Sequence, residues 1–500
     1  MIMLKQCVRV AIAMLATSPL IAQSRPTRPA AADTVIAIVG ATLIDGNGGP
    51  AIPNSAIVIR GKRIVAAGPR ASVSIPANAR IVDGTGKFAT PGFIDTNVHL
   101  SLYNNGESMV RYEERFLDIV VEAAQTELKY GITTVRDSYG ALLPLVVIRD
   151  SIKRGQLIGP RMFVAGNIVG WGGPKSPLFS NATPTTFFDE RMMDFIAQDA
   201  GEELIEMTPD SLRKAITKYL DKGPDFVKYG GTSHTNSLIT FSPRQQEALV
   251  DAVHKRGLFA EVHSTNPEPL RISVLAGIDL IQHPEVHNVP IGDELVKLIV
   301  DKKVICSVLS NSITGKPWTD YLKAQQRTDS ARADSLKKDT LKVLSRSKTG
   351  WELRRDRDAK RLAIRRANAE ALIKGGCITT PSTDTYLSGA PEFSRTPRVD
   401  AHLMPGTATL AAIEGLVDLG MTPPQAIVAA TKNGAIASQG LKDFGTIEPN
   451  KYADILLLDA DPLADIHNIR KLSFVMKEGR IIDRTRLPEK PVWTKRPPTP

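Results

Sequence analysis

Cysteine is nearly missing from this chain: three residues in 500, at Cys7, Cys306 and Cys377. A chain this long with so few cysteines is not a disulfide scaffold. Cys306 and Cys377 both fall in apolar, strand-like runs and read as buried thiols. Aromatic residues make up only 5%, and no nucleic-acid motif is present. The net charge of +10 therefore predicts loose contact with anionic surfaces and no nucleic-acid partner. After the N-terminus no run is long and apolar enough to span a membrane. Histidine is scarce too, eight in all, so its placement carries information.

The N-terminus stands apart. Lys5 and Arg9 precede an apolar stretch from Val10 to Ala22, followed by small residues and a Pro/Arg/Ala-rich segment. This is the layout of an export signal, residues 1–24, with a linker at 25–34. The mature protein is expected to be periplasmic or secreted.

From Val35 to about Thr90 the chain reads as short strands broken by Gly, Pro and Asn turns. The stretch from about Gly445 to Asp483 has the same texture. Neither piece has enough strands for a stable sheet alone. Pairing the two ends, residues 35–88 with 433–486, gives one discontinuous β-sandwich. Between them, in 89–432, strand and helix patterns alternate. Strand candidates are Phe93–Asp95, Thr133–Arg136, Arg161–Ala165, Phe226–Tyr229, Phe259–His263, Leu280–His283, Val304–Val308 and Cys377–Ser382. Helix candidates include Arg111–Tyr130, Thr208–Asp221, Pro243–Arg256 and Gly292–Asp301. A βα unit repeated in this way predicts an α/β fold, a parallel (β/α)8 TIM-type barrel, whose chemistry sits at the C-terminal ends of the strands.

Reactive residues collect at those ends. Asn97 and His99, two apart and so on one face of a strand, follow the first strand. Lys228 ends the fourth, His263 the fifth and His283 the sixth, and Asp384 follows the eighth. Neutral imidazoles with a carboxylate suit a divalent metal, Zn²⁺ first, with Mn²⁺, Fe²⁺ and Co²⁺ as alternatives. Lysine joins such a set when its amine is carboxylated by CO₂, and burial favours this by lowering its pKa. His234, His287 and His402 fall in loops on the same face. The long loop from Ile168 to Asp199 is expected to shape a pocket there.

The arrangement resembles the amidohydrolase superfamily of metal-dependent hydrolases, and specifically its imidazolonepropionase-like and Xaa-Pro dipeptidase-like branch. The resemblance covers almost the whole mature chain. TPGFID leads into the first ligand pair, GITTVRD resembles the second-strand segment, and AATKNGAIASQGLKDFGTIEPNKYADILLLDADPLADI resembles the return into the small β domain. It implies that His263, His283 and N-carboxylated Lys228 hold one metal. Asn97, His99, Lys228 and Asp384 would hold a second, more buried one, with Asp384 as general base and acid. Tyr229 becomes a candidate oxyanion donor and substrate contact. Arg136 becomes a candidate clamp for a substrate carboxylate, or else a partner of Asp137, and His234 and His287 are further substrate contacts. The expected substrates are small molecules with an amide bond: dipeptides, N-acyl amino acids or cyclic imides.

One residue departs from the pattern. The family has His-x-His where this chain has Asn97-x-His99. An amide oxygen is a poorer zinc donor than imidazole. The expectation is one tight metal at His263, His283 and Lys228, with the second weak or absent. A rival reading is a barrel that binds ligand without turnover; another is a hydrolase of lactones or esters. A second insertion, about 316–348, is rich in mixed charge at helical spacing and reads as a solvated helical excursion, with a lid or a homo-oligomer contact as alternative uses. The tail, 487–500, is read as flexible.

Overall fold

The computed structural model describes residues 34–103, 112–172, 194–233, 238–337, 350–387 and 404–492. The signal-like segment, His234, His402 and most of the Ile168–Asp199 loop lie outside them. Alternating apolar residues between turns give a first sheet, in which β1 (Val35–Val39) lies between β3 (Ser55–Arg60) and β5 (Arg80–Asp83), and β4 (Arg63–Pro69) flanks β3. A second sheet joins the two ends of the chain. Its β6 (Phe88–Pro91) pairs antiparallel with β16 (Ile455–Leu458), and β17 (Leu472–Lys477) and β18 (Arg480–Ile481) continue it. β2 (Thr42–Leu43) lies on the far side of β6. Ile36, Ile38, Ile57, Ile59, Ile455, Leu457 and Met476 share one apolar core.

β6 runs directly into the barrel through Gly92. A Cβ there would come within 2.1 Å of Thr133 Oγ1, so the turn requires glycine. Eight parallel strands follow. β7 (Phe93–Tyr103), β8 (Ile132–Asp137) and β9 (Arg161–Val164) pair in order. So do β10 (Phe226–Gly230), β11 (Phe259–His263), β12 (Leu280–Gln282), β13 (Ile305–Val308) and β14 (Ile378–Pro381). Val169 bridges the gap from β9 to Tyr229. Thr96 Oγ1 donates to Pro381 O, Asp384 N–H donates to Asn97 O, and the short β15 (Thr385–Leu387) pairs parallel with β7, which closes the ring. Helices pack outside, among them α1 (Phe116–Lys129), α2 (Leu142–Lys153), α3 (Pro209–Leu220), α4 (Pro243–His254), α5 (Pro267–Leu275) and α6 (Asp293–Asp301). Ser242 and Gln245 form a capping box on α4, after which Pro243 sits at the first helical position.

The excursion between β13 and β14 carries α7 (Gly315–Lys337) and α8 (Gly350–Gly375), and α9 (Thr407–Asp418) follows the last barrel strand. At its base the structure corrects one expectation. Cys306 and Cys377 are not free thiols but a disulfide, with Cα atoms 6.2 Å apart. Adjacent barrel strands bring together two residues that are 71 apart in sequence. Among the described residues no helix is long and apolar enough to cross a membrane.

Candidate active site

Two groups of side chains meet at the C-terminal ends of the strands. At the ends of β11 and β12, His263 Nδ1 and His283 Nε2 face each other at 2.9 Å. Midway along β7, Asn97 Nδ2 donates to Asp384 Oδ1 at 2.5 Å, and His99 Nε2 lies 3.4 Å from the same oxygen. Ser138, just beyond β8, links the groups: its hydroxyl donates to Asn97 Oδ1 and accepts from Lys228 Nζ at 3.2 Å. Asp384 keeps 32% of its side chain exposed and His99 10%; the other side chains are buried.

The electrostatics follow from that burial. Loss of solvent pushes the Lys228 ammonium down to about 8, while Asp384 and Asp137 pull the other way. Burial alone would raise Asp384, but His283, His99 and Lys228 outweigh it and hold the carboxyl well below the usual carboxylate range. Asp137, beside Lys228, is raised to about 8 by burial.

A divalent metal fits this donor set. His99 can donate Nδ1–H to Val98 O at 2.7 Å, which turns the Nε2 lone pair toward the Asp384 carboxylate. Lone pair and carboxylate repel unless a cation or a proton lies between them. The 2.9 Å approach of two ring nitrogens at His263 and His283 poses the same demand, at a spacing suited to two imidazoles on one ion. Among the described residues no three His, Cys, Asp or Glu side chains form a complete cage. Lys228 is the group that can complete the set, and only as a carbamate, which its depressed pKa favours.

Comparison with known proteins identifies the family. The amidohydrolase family model matches residues 88–482. The chain belongs to the amidohydrolase family. Among solved structures, molinate hydrolase is 30% identical, with a TM-score of 0.78, over 93% of this chain and 98% of that one. Phenylurea hydrolase B is 28% identical, with a TM-score of 0.79, over 93% and 100%. Imidazolonepropionase of Geobacillus sp. (strain WCH70) is 21% identical over 469 residues, 86% of this chain and 90% of the relative. The protein is thus an enzyme, a hydrolase acting on carbon–nitrogen bonds, with a family preference for divalent metal.

Two residues expected in this amidohydrolase site lie elsewhere. Tyr229 follows Lys228, and strand alternation turns it out of the barrel. Its hydroxyl donates to Gln246 Oε1 at 2.9 Å and its ring packs on Phe241, so it is neither an oxyanion donor nor a substrate contact. Arg136 does face the barrel interior, but it is fully buried, pairs with Glu261 and stacks over Phe226 at 3.9 Å. It neither reaches a substrate carboxylate nor pairs with Asp137. His287 is buried beside the backbone carbonyls of Thr265 and Pro284, next to the His263 and His283 strand ends.

Other residues come into view only in three dimensions. Tyr139 sits edge-on to His99, with ring centres 5.7 Å apart, and Trp171 edge-on to His263 at 4.6 Å. With Leu102 and Ile168 they form an apolar wall. Ser138 and Tyr139 stand directly after GITTVRD, so their position beyond a strand end was a usable signal. The amide of Asn97 is occupied at both ends, by Ser138 and by Asp384. It acts here as a hydrogen-bond bridge and not as an open ligand.

Proposed function

We propose that the protein is an exported, metal-dependent amidase with one tightly held ion, for which Zn²⁺ is the first candidate. The observation that carries the reading is the convergence of His263, His283, Lys228 and Asp384 on the catalytic face. His263, His283 and carboxylated Lys228 would hold the ion. Such an ion supplies polarisation of the scissile carbonyl and acidification of water. Asp384 takes the proton from the attacking water and delivers it to the departing nitrogen. His99 and Asn97 fix the carboxylate oxygen that does so. His287, and His234 by sequence position, remain candidate substrate contacts.

Dipeptides, N-acyl amino acids and cyclic imides form the starting substrate set. The burial of Arg136 removes the side chain expected to hold a substrate carboxylate, and Tyr139 and Trp171 offer aromatic surface instead. Neutral amides, ureas and cyclic imides therefore come first, in keeping with the names of the phenylurea and imidazolone-type relatives. The Cys306–Cys377 bond supports export, because such bonds persist in oxidising compartments.

The test is a panel of neutral anilides, ureas, cyclic imides, dipeptides and esters, assayed with added Zn²⁺, Mn²⁺ or Co²⁺, beside metal analysis after dialysis. One equivalent of retained metal and faster turnover of neutral amides are expected, with Asp384→Asn lowering kcat by about 10²–10⁴-fold. Turnover of esters alone, or two tightly bound equivalents, would overturn the corresponding part.

A further inference from the structure

Two residues of the site, Asp384 and His283, have left-handed backbones, with φ of 49° and 42°. For a residue with a side chain this conformation is strained and persists only where its surroundings enforce it. The enforcement at Asp384 is visible. Asp95, fully buried two residues before Asn97, accepts the Asn97 N–H through Oδ1 at 3.0 Å. Its Oδ2 accepts from the Thr383 hydroxyl at 2.9 Å and from the Thr409 hydroxyl of α9 at 2.7 Å. The Thr383 oxygen in turn accepts the Thr385 N–H at 3.1 Å. The residues on both sides of Asp384 are thus tied, directly or through one hydroxyl, to a single carboxylate. Asp384 N–H completes the loop on Asn97 O at 2.9 Å.

We propose that Asp95 is a positioning residue that holds Asp384 in its left-handed conformation against Asn97 and His99, so that the carboxylate is presented before ion or substrate arrives. Asp95 touches neither the reacting atoms nor the residues' ligating atoms; it acts through the backbone of Asn97 and the turn Thr383–Thr385. Without it, Asp384 relaxes to a negative φ and its carboxylate leaves Asn97 Nδ2 and His99 Nε2. The inference rests on the reading that Asp384 serves a bound metal.

The test is the rate at which the Zn²⁺-loaded enzyme loses metal to a chelator, read by colorimetry with no substrate present. Asp95→Ala is expected to lose its ion about 10–100-fold faster than the parent, and Asp384→Asn by a similar factor. If Asp95 acts through Asp384, the double variant Asp95→Ala/Asp384→Asn loses metal no faster than Asp384→Asn alone. Multiplicative effects in the double variant, or an Asp95→Ala enzyme with the parent rate, would overturn the inference while leaving the metal reading standing. An Asp384→Asn enzyme with the parent rate would show that Asp384 has no bearing on the ion and overturn the inference, whereas a parent enzyme that retains no Zn²⁺ would remove the metal reading. Should Asp95→Ala fail to fold, Thr383→Val deletes one of the two ties and keeps the carboxylate. It is expected to speed loss about threefold or more, again not beyond Asp384→Asn in the double variant, and a parent rate in Thr383→Val overturns the proposal. Steady-state kinetics on any substrate found should show kcat falling with KM nearly unchanged.

Discussion

The two corners of the site are built from different materials. At the ends of β11 and β12 two imidazoles meet nitrogen to nitrogen at 2.9 Å. On β7 the position that could carry an imidazole beside His99 holds Asn97, and its amide is committed to Ser138 and Asp384. One corner is a pair of imidazoles that one cation could bridge; the other is a net of hydrogen bonds around an amide. The difference teaches that the asparagine does more than weaken a ligand. It substitutes a bridge, one that orients the Asp384 carboxylate.

The comparison can be broken most directly by deleting each corner in turn. His263→Ala or His283→Ala should cost at least ~100-fold in metal affinity, whereas Asn97→Ala should cost less than ~10-fold, both measured by competition with a chromogenic chelator. Equal losses would erase the distinction. The imidazole corner is also dry, and His287 reports on that. Burial pushes its ring down to about 4 from 6.5. Between those values the unfolded chain binds the proton and the folded one does not, so stability falls as pH drops from 6.5 to 4. At pH 4 the accumulated loss is about 3 kcal/mol. In His287→Asn this acid limb should flatten in urea titrations run across that range, and an unchanged limb would mean that the ring is not dry. Asn97→His should convert the bridge into a ligand and tighten a second ion by ~10–100-fold, seen as a second equivalent retained on dialysis. Unchanged stoichiometry would deny that position any hold on metal. The smallest effect belongs to Tyr229→Phe, which removes one hydrogen bond on the far side of the barrel wall. About 1 kcal/mol of stability and less than a twofold change in kcat are expected, and a large fall in kcat would return Tyr229 to the site.

Much of the fold was legible because its signals repeat. Eight strand patterns recur with helices between them, and each was found within a residue or two of its place apart from β7, which runs on past His99 to Tyr103. The residues brought to the catalytic face were legible for the same reason: placing a side chain at a strand end needs only the strand, not its depth. Tyr229 was misread although the alternation that turns Lys228 inward turns its neighbour outward. Arg136 failed for a different reason. Parity puts it inside the barrel, but no sequence pattern says how far below the catalytic rim an inward side chain reaches or that Glu261 awaits it. The disulfide was hidden by distance along the chain, because the long excursion separates two strands that are neighbours in the sheet. Asp95 was read only as part of an apolar strand. Its partners, Thr383 and Thr409, lie almost three hundred residues or more downstream and carry no motif.

The bond between Cys306 and Cys377 has a topological consequence. It spans the roots of the excursion that holds α7 and α8. A peptide bond cut anywhere within that arm leaves the first seven barrel strands and the eighth still joined covalently through sulfur. The arm is in effect a loop closed on itself, hung from a barrel that does not depend on its continuity. A protease that nicks it should yield a protein that runs as one chain without reductant and as two with it, with Asp384 still delivered to the site by a strand whose peptide connection has been severed.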